Sequence, residues 1–331
     1  MPTLSIIIPI YNVERYLRRC LDALVEQSLL PYEVILVNDG TPDNSGTIAK
    51  EYADKYPFMR YVEQENQGVS AARNKGLSLA TGDFVTFCDP DDYFVPYFCE
   101  EIVKIIEHQP ADLYHYTYQK TFSGTGREFA GDLGVAKLTP IYCDALLKGK
   151  VKLGEMMVWM NVYKRSIVTK YGIQFPEGIV IHEDEVFNLR YYRHSNLLLN
   201  IDKAFYVYYY IREEGATSQS YGGFNSQAVH SFYRNAIILL EEWKGDTPQA
   251  VTDCISNYIL QYFRAFALKE PLSKVEQFEV EEGLKEIMDT VNRYDVKLRN
   301  GLKYKLISSF FPLSRKLYRT KRYIKSKLLS K

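Results

Sequence analysis

The sequence predicts an α/β fold, a mostly parallel sheet flanked by helices with a helical extension on its C-terminal side. Three features carry that expectation. Apolar strand-like runs alternate with helix-period segments at the spacing of βαβ units, which wind right-handedly into a parallel sheet. The first run, Leu4-Ser5-Ile6-Ile7-Ile8-Pro9-Ile10-Tyr11, is apolar almost without interruption, as suits a strand buried on both faces. Polar residues then collect where such runs end, at Tyr11-Asn12, Asn38-Asp39-Gly40 and Asp89-Pro90-Asp91-Asp92. Open α/β sheets bind ligands at those carboxyl ends.

Asn12 reads as an N-cap, after which Val13, Leu17, Cys20, Leu21, Leu24 and Val25 recur at helical spacing to about Ser28. Glu33 to Asn38 is a second strand, closed by Asp39-Gly40 and the turn-rich Thr41-Pro42-Asp43-Asn44-Ser45. A helix to Lys55 and a short strand from Met59 to Glu63 follow. Asn66-Gln67-Gly68 opens a helix carrying Val69, Ala72, Leu77 and Leu79, and the fourth strand runs from Gly82 into the carboxylate cluster. After Pro96 a helix extends to about His108, and Asp112 to Tyr118 reads as a strand. Residues 120–150 lack a period and are expected to form a loop or hairpin over the site. Met157 to Tyr163 is apolar and aromatic, and Ile179 to Phe187 is a second apolar run ending in carboxylates, helical over about 183–190. Leu197–Leu199 and Ala204–Tyr210 read as two strands. From Gly223 the pattern is helical, with Ile237, Ile238, Leu239, Leu240, Ile255, Ile259, Leu260, Phe263 and Phe266 facing a core.

At 331 residues, 46% hydrophobic and 25% charged, the chain has ample material for one large or two modest domains. Its five cysteines are scattered and include no Cys-x-x-Cys pair, which argues for reduced core residues, not a disulfide frame or a zinc site. No signal-peptide pattern precedes the first strand, and no apolar run is long enough to span a bilayer. The net charge of zero hides a partition: Val296 to Lys331 holds 12 Lys or Arg and no acid, leaving 29 basic against 41 acidic residues elsewhere. An acidic body argues against nucleic acid as a partner. In the tail, Leu313, Leu317, Ile324 and Leu328 form a partial apolar stripe flanked by cations, suited to an anionic membrane surface.

A hydrophobic strand ending in clustered Asp is costly unless the carboxylates reach water, a helix N-terminus or a cation. The Asp-x-Asp spacing of Asp89 and Asp91 lets both converge on one Mg²⁺ or Mn²⁺; the competing reading is a loop whose Asp91 or Asp92 caps the next helix. A calcium EF-hand starting at Asp89 would need glycine where Phe94 stands.

Taken in order, Ser5-Ile6-Ile7-Ile8-Pro9-Ile10-Tyr11-Asn12, Val37-Asn38-Asp39-Gly40, Asn66-Gln67-Gly68-Val69-Ser70-Ala71-Ala72-Arg73-Asn74 and Asp89-Pro90-Asp91-Asp92 resemble family 2 of the glycosyltransferases. Trp159-Met160-Asn161-Val162-Tyr163-Lys164-Arg165 and Glu183-Asp184-Glu185-Val186-Phe187 resemble that family's acceptor-side motifs, and the likeness covers residues 3 to about 220. It implies the Rossmann-like GT-A fold, an inverting reaction and a role of the bacterial surface-polysaccharide type. By position, Pro9, Tyr11 and Asn12 belong to the donor site, and Asp39 would accept the imide N–H of uracil with Tyr11 packed on the base. Asn38 stands where many relatives carry Asp. Arg73 and Asn74 would meet the diphosphate and ribose, Asp89 the ribose and the metal, and Asp91 the metal directly, with Asp92 left as a helix cap. Asp184 would be the general base, beside Glu183 and Glu185, while Trp159, His182 and Glu185 are acceptor-side candidates. Trp159, Tyr163 and Tyr208-Tyr209-Tyr210 have faces that suit sugar stacking or core packing, and Arg212, Thr217 and Ser218 fall where relatives carry a polar loop near the donor phosphates.

The implied organisation is a catalytic domain over 1–220, with a nucleotide-sugar half at 1–95 and an acceptor half at 96–220, a helical extension over 221–300 and a basic tail over 301–331. Its implied activity is Mn²⁺- or Mg²⁺-dependent hexosyl transfer from a UDP-linked nucleotide-sugar donor to a glycan or lipid-linked glycan acceptor. The expected place is cytoplasmic, peripheral on the inner face of the plasma membrane, with no nucleic-acid partner and a homodimer left open. Two other classes compete. A sugar nucleotidyltransferase would show a Gly-rich triphosphate loop where Pro9-Ile10-Tyr11-Asn12 stands; a non-catalytic glycan-binding protein on the same fold would not need Asp39, Asp89, Asp91 and Asp184 together.

Overall fold

The computed structural model describes residues 1–121, 136–153, 157–210, 226–268 and 274–298, without the side chains of 226–229, 264–268 and 274–277. They fall into two compact units, one built from Met1–Leu146 and Lys150–Arg212, the other from Leu147–Gly149 and Glu213 onward.

The first unit is a sheet flanked by helices. Its strands are β1 (Leu4–Ile10), β2 (Glu33–Asp39), β3 (Met59–Gln64), β4 (Phe84–Phe87), β5 (Tyr93–Phe94), β6 (Leu113–Thr121), β7 (Lys137–Tyr142), β8 (Asn161–Lys164) and β9 (Leu197–Tyr209). They lie in the order β3-β2-β1-β4-β8-β6-β9-β5, with β7 paired to β9. From β3 to β4 every pair is parallel, as the alternating pattern implies. Beyond β4 the winding changes: β8 runs antiparallel to both β4 and β6, so the far half of the sheet is mixed.

β1 is buried at every position. Ile6, Ile8 and Ile10 join Leu17, Cys20, Leu21 and Leu24 of α1 (Glu14–Val25) in one core, alongside residues of α2 (Ser45–Lys55) and α4 (Phe98–His108). Ile7 turns to the opposite face, where α3 (Val69–Leu79) packs so closely that a Cβ on Gly76 would lie 2.3 Å from Ile7 Cγ2. Pro9 lacks an N–H yet sits inside this strand. Register with β4 ends at Ile7↔Phe87, so no β4 residue opposes Pro9 on the edge that Ile7 uses for its bond with Cys88 N–H.

Three local expectations change. Asn12 does not cap α1: it adopts φ 54°, and Val13 takes the N-cap position without a side-chain cap. The β2–α2 loop supplies the acceptors instead, as Asn12, Val13 and Glu14 N–H donate to Thr41 Oγ1, Ser45 Oγ and Asp43 Oδ2 at 2.8, 3.1 and 2.9 Å. The two strands expected over 197–210 are one, whose pairing with β6 shifts register twice, passing over Asp202-Lys203 and then Phe205, and Lys203 Nζ meets Glu101 Oε2 at 2.9 Å. The described part of the 120–150 stretch is not a free loop, since β7 pairs antiparallel with β9 and leads into α5 (Cys143–Leu147); residues 122–135 lie outside the described residues.

The second unit contains α8 (Ser226–Glu242), α9 (Gln249–Leu268) and α10 (Lys274–Arg293), packed against one another. Leu239, Leu240, Ile255, Ile259 and Phe263 are buried as expected, while Ile237, Ile238 and Leu260 are only half-buried; Phe266 lies outside the described side chains. No helix among the described residues is long and apolar enough to cross a membrane.

Candidate active site

Strand order reverses at β1: the chain steps outward through β2 to β3, then returns to place β4 on β1's other side. The carboxyl ends of β1, β2 and β4 therefore meet at the switch point where such sheets bind ligands. The three polar strand ends predicted from sequence are brought together there.

At the end of β2, Asp39 is buried and engaged. Its Oδ1 accepts from Gln64 Nε2 (2.9 Å) and Gln67 N–H (3.0 Å), and its Oδ2 from Gly68 N–H (2.8 Å). A carboxylate oxygen takes about two donors, so Oδ2 keeps room for one more. Gly40 beside it has φ 63°, and a Cβ there would lie 2.9 Å from Asn66 N. Asn38, in the place of a second Asp, donates to Tyr61 Oη (2.8 Å) and accepts from Thr41 N–H (3.0 Å), a neutral structural tie. Tyr11 is 48% exposed, so its ring is free to meet a planar ligand.

At the end of β4, Asp89 and Asp91 lie close enough to feel each other's charge. Burial, reinforced by Asp89, pushes the Asp91 carboxyl up to about 6. Arg19 was not singled out from sequence, because nothing about its helical spacing marks it. It supports this loop from behind: Nη2 donates to the Asp91 carbonyl at 2.6 Å, and the guanidinium lies 4.3 Å from the Tyr209 ring centroid. Asp92 does not cap a helix. It is fully buried, its Oδ1 accepts from Tyr209 N–H (2.7 Å), and its Oδ2 has no hydrogen-bond partner among the described residues. Burial, with Asp91 and Asp89 adding, holds it well above the carboxylate range. α4 begins later, with Tyr97 at its N-cap.

The second carboxylate cluster opens α7 (Glu183–His194), which follows α6 (Arg165–Tyr171), and is carried into place by aromatics. Phe187 stacks on Phe175 at 4.1 Å, and Phe87 of β4 meets both rings edge-on at 5.2 and 5.9 Å. That packing brings α7's first turn against α3. Arg73 of α3, with a side chain only 4% exposed, joins three carboxylates: Nη2 donates to Asp89 Oδ1 (2.9 Å), Nη1 to Glu183 Oε1 (2.8 Å) and Asp184 Oδ1 (2.9 Å). Asp184 Oδ2 accepts from Val158 N–H at 3.2 Å, a backbone donor that no sequence pattern reveals. Burial raises the Asp184 carboxyl to about 8; Arg73 opposes the rise, while Glu183 and Asp89 add to it. One guanidinium facing three acids leaves a surplus of negative charge that favours holding a proton.

The remaining candidates take other tasks. Asn74 pairs with the Phe175 backbone in both directions, accepting at 2.8 Å and donating at 3.0 Å, so it fixes a chain segment. Trp159 is 4% exposed, with Tyr206 and Tyr208 stacked at 4.4 and 5.8 Å, which leaves no free face for a sugar; Tyr163 is buried too. His182 sits at φ 62° in front of α7 with Nδ1 3.3 Å from Glu185 Oε1. Burial opposes protonation of its ring, but Glu185 and the neighbouring acids prevail and raise its pKa. Arg212, Thr217 and Ser218 lie outside the described residues, as does the tail from residue 299.

Residues 5–172 match the model of the family described as glycosyl transferase family 2. EpsJ of Bacillus subtilis (strain 168), a protein named as a glycosyltransferase, is 33% identical over 210 residues, 63% of this chain and 61% of its own length. The poly(ribitol-phosphate) beta-glucosyltransferase of Bacillus spizizenii (strain ATCC 23059 / NRRL B-14472 / W23) is 27% identical over 228 residues, 64% of this chain and 33% of that protein. The chain thus spans less than two thirds of the length of either relative. Among solved structures, S. aureus TarS 1-349 in complex with UDP superimposes with a TM-score of 0.70 over 97% of this chain and 91% of that one, at 19% identity. That likeness supports the fold.

Proposed function

The chain belongs to glycosyl transferase family 2, and from that premise we propose that it moves a hexose, with inversion, from a UDP-linked donor to a glycan or lipid-linked glycan in surface-polysaccharide synthesis. The observation that carries the reading is the meeting of two carboxylate clusters, Asp89-Asp91 and Glu183-Asp184, around Arg73 at the switch point. The UDP complex of the TarS neighbour and the poly(ribitol-phosphate) substrate in one relative's name support donor and acceptor class.

In this reading Tyr11 packs on the base and the remaining lone pair of Asp39 Oδ2 takes the uracil imide N–H. Asp91 and Asp89 fit a divalent cation, Mn²⁺ or Mg²⁺: two neighbouring acids, one held near 6 by burial and the other's charge, gain from a cation between them. No group of three or more metal-binding side chains exists among the described residues, so an ion held by Asp91 and Asp89 would need further oxygen ligands from donor and water. When bound, it neutralises charge developing on the leaving diphosphate. Asp184 accepts the acceptor hydroxyl's proton as that oxygen bonds to the anomeric carbon and the bond to the diphosphate breaks. Arg73 and Val158 N–H fix the orientation of its two oxygens.

The basic tail, in this proposal, holds the protein on the anionic inner face of the plasma membrane, where a lipid-linked acceptor would be presented. The experiment is a pair of substitutions. Asp91→Ala and Asp184→Ala are each expected to abolish UDP release from the sugar nucleotide that the native protein turns over, with unfolding temperatures near native. Asp91→Ala should also weaken Mn²⁺-dependent UDP binding; calorimetry giving unchanged UDP and Mn²⁺ affinities would remove the metal role.

A further inference from the structure

Arg73 stands where the family likeness implies a diphosphate or ribose contact, yet its guanidinium is occupied. It pairs with three carboxylates of the chain, one at the end of β4 and two at the start of α7. Its flat face lies 5.3 Å from the Phe175 ring centroid, and its Nε is buried with no hydrogen-bond partner among the described residues.

We propose that Arg73 is a positioning residue, which fixes Asp184 against the donor-side loop and so passes donor occupancy at Asp89 to the placement of the acceptor-activating carboxylate. The inference rests on the transferase reading above and deepens it. A guanidinium is the group suited to this task, because its planar fork offers several donors at fixed angles, where an ammonium offers a point charge. Nη1 bridges Glu183 and Asp184 while Nη2 holds Asp89, so any shift of Asp89 toward a bound cation or ribose changes the pull on α7's first turn. The anchor itself cannot drift: Arg73 and Gly76 are three residues apart on the face of α3 that lies against β1, and the contact at Gly76 leaves no slack. Asp184 has both oxygens engaged, so its orientation follows Arg73 and Val158. A displacement of about 1 Å at a reacting group costs roughly 100-fold in rate. Coupling of this kind is carried by contiguous hydrogen-bonded networks and is established by perturbing them.

The test compares Arg73→Lys and Arg73→Gln with the native full chain, using UDP with Mn²⁺ as the binding probe. Calorimetry is expected to give UDP affinities within about threefold of native for Arg73→Lys. Hydrogen exchange should show UDP with Mn²⁺ slowing the amides of Asp184 to Phe187 in the native protein and leaving them unchanged in both variants. With whichever of UDP-glucose, UDP-galactose or UDP-N-acetylglucosamine the native protein turns over, turnover at saturation should fall about 100-fold with KM near native. A tenfold or greater loss of UDP affinity with turnover at saturation unchanged would make Arg73 a donor ligand and overturn the proposal. Native-like protection and turnover in Arg73→Lys would overturn it as well. If neither variant folds, the native protein alone decides, because UDP binding without protection of α7 removes the coupling. A native chain with no UDP affinity removes the nucleotide-donor reading first, and the inference with it.

Discussion

A carboxylate that takes a proton from a sugar hydroxyl works best with a pKa near the working pH, and Asp184 is raised to about 8 by burial, against Arg73 and with the help of Glu183 and Asp89. The acid limb of kcat/KM is therefore expected near or above neutrality, not near 4, and Glu183→Gln, which removes one neighbouring negative charge, should move it to lower pH. A pH–rate profile of UDP release checks both. The linkage to stability has a definite sign. A carboxyl whose folded pKa lies above its unfolded value of about 3.9 gives stability that is full below that value and lost as pH rises through about 8. Asp184→Asn should therefore melt higher than native by a margin that grows between pH 5 and pH 8; a constant margin would contradict the raised pKa. Residue types at this site were legible in the sequence, since clustered acids at strand ends demand a solvent, cap or cation. Their partners were not. Arg73 meets Asp184 across 111 positions and Asp92 meets Tyr209 across 117, and no local pattern encodes a contact made by tertiary packing. Trp159 was ambiguous for the same reason: an aromatic that stacks on sugar and one that stacks on Tyr206 look alike in sequence.

Elements were read more securely than partners, because burial imposes a period on the sequence. β1, β2 and α2 lie where their patterns place them, and the exceptions have local causes. Asp202-Lys203 reads as a break, but the chain absorbs it as a bulge within β9, with Lys203 paired to Glu101. Asn12 reads as a cap, but its left-handed backbone hands that task to Thr41, Asp43 and Ser45, which also fastens the β1 and β2 ends together. α3 shows what an element must do for a site. It carries Arg73 at the depth of three carboxylates only because Gly76 lets the helix lie directly on Ile7. Gly76→Ala gains helix propensity of about 1 kcal/mol in isolation. The added methyl meets a fully buried β-branched side chain in the middle of the sheet, and overpacking of that kind costs about 1–3 kcal/mol. The variant is expected to be net destabilised in urea titration and to lose turnover out of proportion, since α3 can relieve the clash only by lifting Arg73. A Gly76→Ala protein as stable and active as native would show that the approach of α3 to β1 is not required.

At the scale of the whole molecule, the telling property is the separation of charge along the chain. The 12 basic residues from Val296 onward are balanced by an acidic excess distributed through the rest, so electroneutrality conceals a strongly cationic end. Each Lys or Arg near an anionic bilayer contributes about 1 kcal/mol, and that attraction fades within a Debye length of about 8 Å at physiological salt and about 3 Å at 1 M. Leu313, Leu317, Ile324 and Leu328 would add apolar contact, which salt does not screen. The two contributions separate experimentally. The 331-residue protein is expected to co-sediment with vesicles containing phosphatidylserine and to leave them progressively as salt is raised. Replacing Arg315, Lys316, Arg319, Lys321, Arg322 and Lys325 by Gln removes charge and keeps the apolar stripe, so binding should fall by at least about tenfold and lose most of its salt dependence. Because the proposed donor contacts are made by Tyr11, Asp39, Asp89 and Asp91 and by none of these six basic residues, UDP affinity in solution is expected to stay at the native value. Equal binding to vesicles of phosphatidylcholine alone would mean that charge does not direct the attachment, and a polymeric or protein acceptor would then be the better account of the basic tail.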